Sequence, residues 1–168
     1  MPSSGGTHLD GAQAKAAFSG AHKFDLGIIA AGIVTFFASM LPYYTYSVSA
    51  GGFSSSASVS GWHGFFGWFG ALLALVGAGL VVAKILGVSL PVPVAIAVLG
   101  CFGLALVCTI LALFVFPGGS CPDLNVGGFS CDTGHGFGYW LALLATLAGT
   151  GLAFLRYQEE TGGSTVAP

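Results

Sequence analysis

The sequence predicts an all-α protein, a four-helix transmembrane bundle built from a duplicated two-helix hairpin. Three observations predict it. The 168 residues are 55% apolar and only 6% charged, with a mean hydropathy of +0.89. Four apolar stretches each reach the roughly 20 residues needed to cross a hydrocarbon core about 30 Å thick. The second and fourth stretches also match one another at a shift of 72 residues.

An average soluble domain carries about 25% charged residues. Four Lys/Arg and six Asp/Glu cannot cover a water-facing surface of this size. The composition therefore excludes a soluble globular domain, a disordered chain and a basic nucleic-acid binder. The expected partners are the lipid bilayer and other membrane proteins, or a second copy of the chain, and no nucleic acid.

Residues 1–23 read as a disordered cytoplasmic tail. Met1 to Gly20 lack the basic start and short apolar run of a signal peptide, so the first span reads as an uncleaved anchor. The transmembrane domain covers 24–157, with spans at Leu26–Ser47, Gly64–Leu86, Val92–Phe116 and Gly136–Leu155. Each is too long for a barrel strand and lacks strict alternation. Helices, which pair every backbone group internally, are the remaining solution in lipid. Residues 158–168 read as a second polar cytoplasmic tail.

Basic residues set the expected orientation, because Lys and Arg are retained on the cytoplasmic side. Lys15 and Lys23 precede span one, Lys84 closes span two and Arg156 closes span four. Both termini and the turn from Gly87 to Pro91 are thus expected inside. The loops Ser49–Gly61 and Pro117–Gly134, which hold no Lys or Arg, are expected outside. Tyr43, Tyr44, Tyr46, Trp62, Trp68, Tyr139 and Trp140 gather near the same outer boundary, where amphipathic rings settle.

Cys121 and Cys131 lie in the second outer loop, an oxidising setting in which a disulfide is expected. Closing such a ring removes roughly 2.7 kcal/mol of chain entropy in the standard treatment. Their spacing is unlike the Cys-x-x-Cys arrangement of a redox-active pair. Cys101 and Cys108 share one face of span three and read as small packing residues.

In the internal match, His63-Gly64-Phe65 falls on His135-Gly136-Phe137 and Trp68 on Trp140. Leu72, Leu75, Gly77, Gly79 and Leu80 fall on Leu144, Leu147, Gly149, Gly151 and Leu152, and Lys84 meets Arg156. That is nine identities over the 22 positions 63–84, and the His-Gly-Phe-x-x-Trp element is not a low-complexity pattern. A duplicated hairpin with an even number of spans relates its copies by an axis along the membrane normal.

The middle of the spans holds no ionisable residue, only Thr35, Ser39, Thr109, Thr146 and Thr150. Intramembrane charges mark proton relays, ion pathways and substrate sites, so their absence argues against a pump or a carrier of charged substrates. Asp25 is expected at headgroup depth near Lys23. Small residues set the helix packing instead: Gly64, Gly67, Gly70 and Ala74 on span two, and Ala145, Gly149 and Ala153 on span four. Such faces serve packing within the bundle or contact with another membrane protein.

His63 and His135 are the one constellation with ligand chemistry. Two equivalent imidazoles on different helices have the donors to hold a haem or a metal. Two histidines alone do not complete a zinc site, and only Asp132 is close in sequence as an orienting carboxylate. The plainer reading is an interfacial histidine bonded to a loop carbonyl. No catalytic residue is identified: there is no nucleophile elbow or Walker loop, and Glu159 and Glu160 fall in the tail.

Phe37 to Ser47, with Pro42 followed by Tyr43 and Tyr44, and the opening Gly64-Phe65-Phe66-Gly67-Trp68 together resemble a pattern in small four-span actinobacterial membrane proteins. These include the mycobacterial antigen-type family of unknown function. The chain departs from that pattern in its Cys121/Cys131 loop and in having no long proline-rich tail. The resemblance implies an envelope protein, an accessory factor in envelope biogenesis or division, and carries over no catalytic residue. Animal four-span junction proteins fit less well, since their paired cysteines lie in the first outer loop, where this chain has none. The expectation is a non-enzymatic scaffold or accessory subunit. The alternatives are a haem- or metal-binding redox protein using His63 and His135, or an oligomeric pore or lipid-handling protein for uncharged substrates.

Overall fold

The computed structural model describes residues 11–119, 121 and 128–162. Five helices appear among them: α1 (Gly11–Ser19), α2 (Lys23–Met40), α3 (Phe65–Ile85), α4 (Val94–Leu111) and α5 (Phe137–Gly162). α2 to α5 are each long and apolar enough to cross a bilayer, which makes this a membrane protein. Three strands, β1 (Pro42–Ala50), β2 (Phe53–Ser60) and β3 (Phe129–His135), form one antiparallel sheet in the order β2-β1-β3.

The expected all-α class is therefore wrong. The chain is mixed α/β, because the end of span one and parts of the loops after spans one and three are strand. Pro42 cannot donate to a helix, and α2 ends at Met40, short of the expected Ser47. Beyond it, Tyr44, Tyr46 and Val48 alternate with Thr45, Ser47 and Ser49, a period-two pattern of aromatic, β-branched and hydroxyl residues. Gly51 and Gly52, at φ 54° and 89°, make the two-residue mirror-image turn that matches the twist of a hairpin. The tails differ too: α1 and the 158–162 end of α5 are helical where disorder is expected. Residues 1–10 and 163–168 lie outside the described residues.

In the bundle, α2 packs on α3 and α5, and α4 packs on the same two helices. The matched helices α3 and α5 therefore occupy opposite corners. Between them sits Phe102 of α4, wholly buried. A methyl at Gly77 of α3 would lie 2.9 Å from one edge of its ring, and one at Gly149 of α5 would penetrate the other edge. Equivalent glycines of the internal match thus clamp a single phenyl ring. Without a hydrophobic drive between helices in lipid, this close fit is what holds the corners together.

The remaining small residues divide by role. Gly70 meets Cys108 and Ala105 of α4, while Ala74 is buried where α2 passes over it at Gly32. Ala145 and Ala153 are buried in α5. Gly64 and Gly67 have their closest neighbours in Tyr44 and the Gly61 backbone at the top of α3 rather than in another helix. The hydroxyls of Thr35, Thr109 and Thr146 bond to the carbonyls of Ala31, Ala105 and Ala142 at 2.8–2.9 Å, one turn back. Thr150 bonds to the Phe102 carbonyl of α4 at 3.1 Å, a link between helices.

Candidate functional site

At one end of the bundle the charged residues converge. Asp25 is buried, and its Oδ1 lies 3.2 Å from Nε of Arg156. Arg156 also approaches Glu159 and Glu160, and Lys84 pairs with Glu160. Asp25 is thus held by α5 across the bundle rather than resting beside Lys23, and Glu159 and Glu160 belong to this network rather than to a free tail. A carboxylate with one face out of water needs such a partner. A small cavity beside it is lined by Asp25, Lys84, Arg156, Val81, Val98 and Ala153, among others.

At the other end stands the sheet, and its register sorts the side chains. Residues directly opposed across antiparallel strands share a face. On one face lie the rows Phe53-Ala50-Phe129, Ser55-Val48-Cys131, Ala57-Tyr46-Thr133 and Val59-Tyr44-His135. On the other lie Ser54-Ser49-Ser130, Ser56-Ser47-Asp132 and Ser58-Thr45-Gly134. The sheet is amphipathic, with an apolar and aromatic face backed by an array of hydroxyls.

The base of the apolar face is closed. Tyr43 and Tyr44 are buried, and Tyr44 contacts Phe116 and His135. Tyr46 donates to the Pro117 carbonyl at 2.6 Å. Burial pushes the Tyr44 phenol up to about 12, with Tyr46 and Tyr139 adding to the shift. Tyr43 is also raised, chiefly by burial. Among the described residues the Tyr44 hydroxyl has no hydrogen-bond partner. Towards the tip the face opens: Val48 is 46% exposed, Phe129 58% and Phe53 84%.

The histidines have different environments. His135 sits among Tyr44, Phe116 and Tyr139, with its Nε2 donating to the Ala112 carbonyl at the end of α4 at 3.2 Å. A carbonyl only accepts, so that nitrogen carries the proton and is not free to bind a metal. His63 is exposed in the 3-10 turn Gly61–His63, with Nδ1 3.3 Å from the Ser60 hydroxyl. His63 lies in the turn after β2 and His135 ends β3, and the central strand β1 stands between β2 and β3. No group of three or more His, Cys, Asp or Glu side chains suited to a metal occurs among the described residues.

Cys121 and Cys131 are joined in a disulfide with Cα atoms 5.7 Å apart, which tethers the segment after α4 to β3. Cys101 and Cys108 remain free thiols within α4. The residues that build the site at the sheet end of the bundle, beyond the histidines, are Tyr44, Phe116, Phe53 and Phe129. The alternation from Tyr44 to Ala50 and the Gly51-Gly52 pair were the signals that locate Tyr44 and Phe53. No family model, curated protein or solved structure matches this chain.

Proposed function

We propose that this chain is a non-enzymatic integral membrane protein, a scaffold or small accessory subunit of a cell envelope that works through protein–protein contact. Both termini are cytoplasmic in this reading, and the sheet faces outward. The observation that carries it is the amphipathic sheet with its open tip. Val48, Phe53 and Phe129 form exposed apolar surface on the sheet, outside the helical bundle. The meeting of Lys84 and Arg156 at the opposite end supports the orientation.

The bundle interior supports the same reading. Phe102 fills the space between Gly77 and Gly149, and the buried threonines bond to helix carbonyls. Cross-linking in the native membrane followed by gentle detergent purification tests the proposal. A defined complex or oligomer is expected, from a colourless sample. A monomer without partners would count against it. A Soret band lost in the His63→Ala, His135→Ala double variant, or liposome flux above that of empty vesicles, would replace it with one of the other readings.

A further inference from the structure

We propose that the open edge of β2 is a self-association surface, through which two copies of the chain join β2 to β2 in antiparallel register about Ser56. The two three-stranded sheets then become one of six strands. This rests on the interaction reading above and names the partner as a second copy.

The hairpin turn dictates which backbone groups are free. With two residues in the turn, Ala50 and Phe53 form the closing hydrogen-bonded pair. Phe53, Ser55, Ala57 and Val59 therefore direct their N–H and C=O groups to β1, and Ser54, Ser56 and Ser58 direct theirs away from the sheet. No hydrogen bond among the described residues meets those outward groups. An unpaired strand edge is complementary to another strand, and folded proteins guard such edges with proline, lysine, inward charge or a bulge.

β2, with the sequence Phe-Ser-Ser-Ser-Ala-Ser-Val-Ser, has none of these guards along Phe53–Val59. The one irregularity in its pairing lies at the base, between Pro42 and Tyr44 of β1. The opposite edge is different. β3 carries Asp132, and its Cys131 is tied by a disulfide to Cys121. One edge is guarded and the other is bare.

A second copy fits the bare edge in a specific way. Antiparallel pairing about Ser56 sets Ser56 against Ser56 and Ser54 against Ser58, so the outward backbone groups meet in hydrogen-bonded pairs. The hydroxyl face continues unbroken across the junction. On the apolar face, Phe53 comes opposite Val59 of the second copy. An aromatic ring that is 84% exposed thereby gains a β-branched neighbour. No charge is brought together anywhere along the seam.

The register has a consequence for the membrane. Tyr43 and Tyr44 at the base of the sheet are buried against the bundle, whereas Phe53 and Phe129 at its tip are exposed, so the sheet leads away from the bundle. Antiparallel joining leaves the two bundles at opposite ends of the six-stranded sheet, and the pair therefore links two facing bilayers.

The test uses the full chain in liposomes on a Cys101→Ala, Cys108→Ala background. Ser56→Cys is expected to form an intermolecular disulfide with itself. Ser54→Cys and Ser58→Cys are expected to cross-link with each other in a mixture, and neither with itself. Light scattering should show vesicle clustering that is lost in Ser56→Lys, an exposed substitution whose fold is checked by an unchanged melting curve. Like-with-like cross-links at positions 54 and 58 mean parallel pairing and overturn the proposal, as does clustering that survives Ser56→Lys. A monomer that still recovers a different membrane partner overturns self-pairing and leaves the interaction reading standing. A monomer with no partner overturns both.

Discussion

Residues 63–84 and 135–156 are the same element in sequence and two different elements in surroundings. In the bundle they behave alike. Gly77 and Gly149 clamp Phe102 from opposite corners, and Gly79 and Gly151 both leave open space on the outer surface. At their sheet ends they part. His63 stands exposed in a turn after an open-edged strand, whereas His135 ends a strand and is enclosed by three aromatic rings. The inward faces of the helices are constrained by the neighbours they pack on, whereas the strand or turn that precedes each helix is decided by what it pairs with.

The largest effects are expected where the two copies share one partner. Phe102→Ala should cost about 3–5 kcal/mol in detergent unfolding, since it empties the space between both glycines. Gly149→Ala should cost about 2–3 kcal/mol and Gly77→Ala about 1, because the ring is closer to Gly149. Phe102→Leu should recover part of the Gly149→Ala loss. Equal costs at the two glycines would show that the clamp is not shared in this way.

The basic ends come next. Arg156→Gln strands the buried Asp25 carboxylate and should cost about 2 kcal/mol. Lys84→Gln removes a solvent-screened partner of Glu160 and should stay within about 0.5 kcal/mol. Adding Asp25→Asn to Arg156→Gln should restore stability, and failure to do so would mean that Arg156 acts through its other neighbours.

The histidines should separate by a smaller margin. His135→Ala loses the bond to Ala112 and three ring contacts, for about 1–2 kcal/mol, while His63→Ala should fall within about 0.5. Equal costs would contradict their different settings.

The smallest effect concerns Tyr44. Its phenol titrates near 10 when unfolded and near 12 when folded, so the folded state keeps its proton longer. That contribution is present below pH 10 and is lost as pH rises through 12. Tyr44→Phe should flatten the alkaline loss, and at neutral pH it should be neutral or stabilising by up to about 1 kcal/mol, because the hydroxyl has no partner. A large loss of stability in that variant would mean that the hydroxyl has a partner after all.

Much of the bundle was legible from residue chemistry. Four apolar runs, the small residues Gly70, Ala74, Ala145, Gly149 and Ala153, and the Cys121–Cys131 bridge were visible in composition and spacing. The sheet was missed because β1 directly follows an apolar span, so its alternation was absorbed into that span, and serine-rich β2 resembles a loop. The Asp25–Arg156 pair joins residues far apart in sequence, and no local pattern marks such a partner.

By itself the sequence determined that this chain enters a membrane, how many helices are apolar enough to cross it, and which of their residues are small enough for close contact. Those properties follow from transfer energies and side-chain size, which each residue carries wherever it sits. Only the tertiary structure decided that α3 and α5 stand at opposite corners around Phe102. It also decided that one histidine is enclosed and its counterpart exposed, and that β2 is left with a bare edge. Those outcomes depend on which backbone and side-chain groups find partners, and pairing is a property of two segments that neither one encodes alone.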